Sequence, residues 1–186
     1  MSYDAIVPAG GAAVRLGGID KAMVPVAGRT LIERAIDAVA GAGRVVVVGP
    51  PRDIDREVVW TREEPAGGGP VAAVGAGLQR VMADVVVVLA SDLPFIDASI
   101  VGRLVDAIGA RDAAIAVDRG GRDQMLVGAY RTDALRRAIE RLPEKSGASM
   151  RTLISTLDVA RVTDDDAAID CDTWADVERA SARGGN

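Results

Sequence analysis

Two runs in this chain, Val45-Val46-Val47-Val48 and Val85-Val86-Val87-Val88-Leu89, carry no polar residue at any alternate position. A strand with one wet face alternates apolar and polar side chains. Unbroken runs therefore predict strands covered on both faces, as parallel strands are between two layers of helices. Segments of helical period surround them. Ala5-Ile6-Val7 reads as a first strand, and Leu31, Ile32, Ala35, Ile36 and Val39 share one face of a helix over about Thr30 to Ala40. Thr30 and Glu33 have the spacing of a capping box, and Gly41 and Gly43 are the expected stop. Pro70 suits the first position of a second helix that carries Val71, Val74, Leu78, Val81 and Met82. A third follows Asp97, with Ile100, Val101, Leu104, Val105 and Ile108 in phase. Beyond residue 110, Ala113 to Val117 and Met125 to Tyr130 read as strands around Gly120-Gly121, and Thr132 opens a helix with Leu135, Ala138, Ile139 and Leu142. Shorter elements are expected at Met150 to Leu157, Val159 to Val162 and Thr173 to Ala180. The alternation predicts a three-layer α/β/α sandwich with a mostly parallel sheet. Residues 1–181 are expected to form a single domain and 182–186 a loose tail.

Composition limits the chemistry. Of 186 residues, 49% are apolar but only 3% aromatic, so the core is expected to be built from Val, Ala, Ile and Leu. There is no histidine, which excludes Ser-His-Asp and Cys-His nucleophile systems and His-ligated zinc. Acid–base and metal chemistry must run on carboxylates, amines and backbone groups. The single cysteine, Cys171, fits a reducing compartment. A net charge of −5 without a Lys/Arg-rich run argues against a nucleic-acid surface. The apolar runs are far too short to span a membrane, and no secretion signal is evident, so the expected location is cytoplasmic.

Three stretches carry chemistry. The first runs from Pro8-Ala9-Gly10-Gly11 through Arg15 to Asp20-Lys21, directly after the first strand. Paired glycines let backbone amides approach an anion, and Arg15 and Lys21 add positive charge, a combination that suits a polyphosphate. It is neither a Walker loop nor a dinucleotide fingerprint, since Met23 stands where the former needs glycine and G-x-G-x-x-G is absent. A strand-to-helix loop with solvated charges accounts for the same glycines. The second is Ser91-Asp92-Leu93-Pro94, at the carboxyl end of the most apolar strand, where an aspartate is well placed for Mg²⁺ or simply shapes a turn. The third is Asp170-Cys171-Asp172-Thr173. Asp172 or Thr173 reads as a helix cap, and Asp170 is harder to explain that way. Glu63-Glu64 followed by Gly67-Gly68-Gly69-Pro70 could serve a ligand or form a plain loop, and Asp164-Asp165-Asp166 reads as a solvated loop rather than a metal cluster.

Taken in order, these stretches resemble the molybdenum cofactor guanylyltransferases, the molybdopterin-guanine dinucleotide biosynthesis protein A family. The resemblance runs from Ala5–Gly11 and Arg15–Lys21 through Gly28-Arg29-Thr30-Leu31, Gly69-Pro70 and Ser91–Phe95 to the segment from Asp170 to Val177. It implies a fold of the nucleotide-diphospho-sugar transferase type. It further implies transfer of GMP from GTP to molybdopterin or the molybdenum cofactor with release of pyrophosphate, and contact with other proteins of cofactor biosynthesis. By the same resemblance Pro8, Ala9, Gly10, Gly11, Lys21 and Glu64 would bind the nucleotide. Asp92 and Asp170 would hold Mg²⁺, and Lys21, Arg15 and Asp92 would carry catalysis. Pro8, Val14, Leu16 and Trp174 depart from the family pattern, where leucine, arginine, methionine and proline are usual. The alternatives are a cytidylyl or sugar-phosphate nucleotidyltransferase of the same fold, or a non-catalytic nucleotide-binding domain.

Overall fold

The two valine runs lie side by side with the first strand in the middle of one sheet. The computed structural model describes residues 1–10, 19–166, 169–171 and 173–184. In chain order the elements are β1 (Asp4–Pro8), β2 (Pro25–Val26), β3 (Arg29–Thr30), α1 (Leu31–Ala38), β4 (Val45–Val48), β5 (Val59–Thr61), α2 (Gly69–Leu78) and β6 (Val85–Leu89). There follow α3 (Ala98–Ala107), β7 (Ala113–Val117), β8 (Asp123–Arg131), α4 (Thr132–Glu140), α5 (Met150–Ile154), β9 (Val159–Thr163) and α6 (Trp174–Gly184). Seven strands pair in the order β5-β4-β1-β6-β8-β7-β9, while β2 and β3 form a small separate hairpin. Only β8 runs against its neighbours β6 and β7; the other pairings in this sheet are parallel.

The strand period of two sorts side chains between the layers. Ala5, Val7, Val47, Val85 and Val87 pack with residues of α1 and α3 on one face. Ile6, Val46, Val48, Val86 and Val88 pack with α2, α4 and α5 on the other. All ten lie fully within the core, which is why no polar alternation survives in the sequence. Helix α2 sits unusually close to β1: a Cβ at Gly77 would come within 2.7 Å of Ile6.

Local signals hold at the helix starts. Thr30 Oγ1 accepts from the Glu33 amide, and the Glu33 carboxylate accepts from the Thr30 amide at 3.0 Å, closing the capping box. The Asp97 carboxylate caps α3 by accepting the Ser99 and Ile100 amides. Several boundaries differ. Helix α1 stops at Ala38, short of Gly41, and α2 begins at Gly69, which puts Pro70 second. Val81 packs into the core after α2 has ended, but Met82 is 79% exposed because its position follows a turn and no longer the helical face. Residues 182–184 belong to α6 and not to a tail. The three short strands β2, β3 and β5 and the 3₁₀ turn Lys21–Met23 are not foreseen from the sequence. The β2–β3 hairpin turns on Ala27 and Gly28, both with positive φ, as a two-residue turn requires. Strand β5 is signalled only by Val59-Trp60-Thr61. Among the described residues no helix is long and apolar enough to cross a membrane.

Candidate active site

From β1 the chain moves outward on one side to β4 and β5, then returns to lay β6 against the other side of β1. The strand order therefore reverses between β1 and β6. In open α/β sheets the loops leaving two such strands part there, and the crevice at their carboxyl ends is where ligands bind. Lys21 follows β1 and Asp92 follows β6. The Lys21 ammonium donates to Asp92 Oδ2 at 2.7 Å across that crevice, with both side chains partly exposed. Seventy-one residues separate the pair in sequence, and the reversal of strand order brings it together.

The exit from β1 is built by close approach. Ala9 donates its amide to the Val48 carbonyl at 2.8 Å, and a Cβ on Gly49 would lie 3.0 Å from the Ala9 carbonyl carbon and oxygen. Pro8 fits because Ala5 and Ala9 donate toward the β4 side, so residue 8 would aim its N–H at β6, where pairing has already ended at Ile6 with Val88. Arg52, on the loop after β4, donates from Nε and Nη2 to the two carboxylate oxygens of Asp20 at 2.6 and 2.9 Å. Its Nη2 also donates to the Ala9 carbonyl at 2.7 Å, and Nη1 to that of Pro50 at 3.1 Å. No sequence motif singled out Arg52; a lone arginine after Pro50-Pro51 has no periodicity or spacing to mark it. Gly11 and Arg15 lie outside the described residues, as does Asp172.

The acidic side chain beside Gly10 is Glu63, not Glu64. Glu63 is buried, its Oε1 accepts the Gly67 amide at 3.1 Å, and a Cβ on Gly10 would stand 3.6 Å from the same oxygen. Glu64 is exposed, because the alternation that turns one residue inward beyond β5 turns the next outward. The glycine segment is braced by the loop between α4 and α5, where Gly147 donates to the Gly68 carbonyl at 2.8 Å.

The third stretch reaches the same place. The Cys171 amide donates to the Asp92 carbonyl at 3.2 Å, so Asp170 stands one residue from the Asp92 backbone, with its side chain exposed. Thr173 and Asp176 form a reciprocal box at the start of α6 that holds this approach in place, and that bonding keeps the Asp176 carboxyl below its ordinary pKa. The Cys171 thiol is fully buried, and burial, helped by Asp176, pushes its pKa to about 11 against the opposing pull of Lys21. It is a packing residue and not a nucleophile. Asp92 and Asp170 offer hard carboxylate oxygens at one crevice, the donor type that Mg²⁺ prefers when one or two carboxylates are completed by phosphate oxygens and water. Among the described residues no three acidic or thiol side chains form a closed metal cluster. Asp164, Asp165 and Asp166 in particular diverge to Arg103, Arg119 and Arg183.

Comparison with known proteins shows the family and the fold. Residues 5–162 match the MobA-like NTP transferase domain family. A molybdenum cofactor guanylyltransferase from Shewanella sp. strain MR-4 is 32% identical over 133 residues, 68% of each chain. One from Shewanella loihica is 30% identical over 138 residues, 72% of this chain and 70% of the other. Among solved structures, the molybdopterin-guanine dinucleotide biosynthesis protein A of Archaeoglobus fulgidus superposes with a TM-score of 0.76 at 21% identity, covering 97% and 98% of the two chains. The 2-C-methyl-D-erythritol 4-phosphate cytidylyltransferase of Thermus thermophilus gives 0.73 at 23% identity, with 98% of each chain covered. At such identities the structural matches speak for the fold.

Proposed function

The chain belongs to the MobA-like NTP transferase domain family and is a nucleotidyltransferase; from that premise we propose that it transfers GMP from GTP to molybdopterin or its molybdenum form. The observation that carries the reading is the Lys21–Asp92 pair at the carboxyl ends of β1 and β6, a cation and a carboxylate facing one another where the strand order reverses.

The reaction needs little from the protein beyond position and charge. An oxygen of the acceptor's terminal phosphate attacks the α-phosphorus of GTP, the bond from that phosphorus to the bridging oxygen breaks, and pyrophosphate leaves with the electron pair. The nucleophile is already anionic, so the absence of histidine removes nothing required. Lys21, with Arg15 and the amides around Gly10 and Gly11, neutralises the negative charge on the triphosphate as it shifts toward the leaving group. Glu63, beside Gly10, is the acidic side chain facing the nucleotide, and Pro8 and Ala9 form the floor under it. Asp92 and Asp170 would hold Mg²⁺, which when bound supplies Lewis-acid charge to the phosphate oxygens. Each member of the Lys21–Asp92 pair could give up the other for a partner of opposite charge, Lys21 for the triphosphate and Asp92 for the Mg²⁺ it would hold. The family's curated relatives are named for this guanylyl transfer, and the cytoplasm, where GTP is found, is the compartment the reading requires.

Pyrophosphate release, measured across GTP, CTP, ATP and UTP with molybdopterin and with a sugar phosphate as acceptors, tests the reading. Turnover should be greatest with GTP and molybdopterin, and Asp92→Asn and Asp170→Asn should each shift the Mg²⁺ titration to higher concentration. A CTP or sugar-phosphate preference would transfer the assignment to another member of the fold. Nucleotide binding without pyrophosphate release would make the chain a binding module.

A further inference from the structure

We propose that Arg52 is a positioning residue that clasps the two ends of the phosphate-binding loop and thereby fixes Lys21. The inference rests on the reading of Lys21 as a phosphate-binding cation. The clasp itself is a matter of geometry.

A single guanidinium ties two separate pieces of chain to its own loop. It meets Asp20 as a two-toothed fork, at 2.6 and 2.9 Å, takes the Ala9 carbonyl at 2.7 Å, and reaches the Pro50 carbonyl at 3.1 Å. Ala9 is where the chain leaves β1, and Asp20 is where it returns to start the single 3₁₀ turn Lys21–Met23. The Asp20 carbonyl accepts the Met23 amide at 3.0 Å, and that of Lys21 accepts the Val24 amide at 3.1 Å. The backbone of Lys21 is thus fixed on its carboxyl side by the turn and on its amino side by the Asp20–Arg52 fork.

Burial makes the arrangement asymmetric. The Arg52 side chain is 8% exposed and that of Asp20 is 43% exposed. Asp20 could be hydrated without the arginine, but an arginine set among backbone carbonyls is poorly hydrated and needs its carboxylate. Arg52 is therefore the fixed post, seated beside β4 where Gly49 lets the chain approach Ala9, and the Asp20 end of the loop is tied to it. With its backbone held on both sides, Lys21 has less freedom to lose when it meets a triphosphate. An ammonium displaced by even about 1 Å from the transferring phosphate loses much of its effect.

The test uses the full chain and the variants Arg52→Gln, Arg52→Lys and Asp20→Asn, with the Arg52→Gln/Asp20→Asn pair. Amide hydrogen exchange without nucleotide reads the clasp directly. Peptides covering residues 9–24 should exchange about ten-fold faster in Arg52→Gln, while those of β7 to β9 remain unchanged. Steady-state kinetics with GTP should show kcat reduced roughly 10- to 100-fold with a smaller rise in KM, because the cation is misplaced at the reacting phosphate. Arg52→Lys should not rescue, since an ammonium cannot form the fork. The double variant should be no worse than the poorer single, as expected of two members of one contact. Unchanged exchange, normal kcat in a variant with faster exchange, or losses that multiply in the double variant would each overturn the proposal. Because Asp20 is exposed, Asp20→Asn keeps the test decisive even if Arg52→Gln fails to fold. Failure of the wild-type protein to release pyrophosphate from any nucleotide would strike the functional reading instead, and the exchange experiment separates that result from loss of the clasp.

Discussion

Two sets of polar side chains at opposite ends of β1 and β6 are partnered differently. Where these strands begin, four side chains bond to backbone, although Arg136 also meets Asp133. The buried Asp4 carboxylate accepts the amides of Met82 and Ala83 at 2.7 and 3.1 Å, and the Thr132 hydroxyl donates to the Ala83 carbonyl at 2.7 Å. Arg136 donates to the carbonyls of Leu78 and Val81, and Arg44 to that of Arg80. At the opposite end charged groups pair with one another across loops, as Lys21 does with Asp92 and Arg52 with Asp20. A backbone partner is a fixed part of the fold and cannot be given up without exposing an unsatisfied donor or acceptor. Lys21 and Asp92 are both partly exposed, and such a pair contributes little to stability, so its members can exchange one another for a ligand at small cost, whereas Arg52, buried and bonded also to the Ala9 and Pro50 carbonyls, belongs with the fixed groups. The comparison separates polar groups that hold the fold together from those available for chemistry.

The largest expected effect probes the fixed end. Asp4→Ala leaves two backbone amides without their acceptor and should cost about 2–4 kcal/mol in urea unfolding, with kcat/KM of the folded protein unchanged. An Asp4→Ala protein of normal stability would erase the distinction between the ends. Next in size is Lys21→Ala. It should lower kcat/KM roughly 10- to 100-fold, equivalent to about 1.5–3 kcal/mol of lost transition-state contact, and leave the unfolding midpoint within experimental error of wild type. A folded variant with near-normal turnover would remove Lys21 from the site. The smallest effect sharpens the contrast at a third place, the capping box of α1. Thr30→Ala should cost about 1 kcal/mol in thermal unfolding. The Thr30 hydrogen bonds hold the Glu33 carboxyl below its ordinary value, so the stability they add is present above pH 4.5 and is lost as the pH falls through the folded-state value. The gap in Tm between wild type and Thr30→Ala should narrow below pH 4.5, and a constant gap would mean that the carboxylate takes no part in the box.

The sequence determined those features whose physics is local. Short unbroken runs of β-branched valine favour strands with both faces covered, Thr30 with Glu33 carries its own hydrogen-bonding geometry, and Asp97 caps the helix that follows it within three residues. The glycine-rich stretch after β1 and the aspartate after β6 could be marked as candidates as well, because residue type and position at a strand end already limit what they can bind. Tertiary structure decided the rest. Glu63 rather than Glu64 faces Gly10 because a one-residue phase beyond β5 sets which carboxylate turns inward, and β5 is too short to announce that phase. The Lys21–Asp92 contact exists because β6 lies beside β1, a matter of strand order that no stretch of sequence states. Arg52 gains its role from partners 32 and 43 residues away, Asp20 and Ala9, which reach it only when β1 and β4 pair. Spacing encodes contacts along a helix or across a turn; contacts between loops from different strands depend on the packing of the whole sheet.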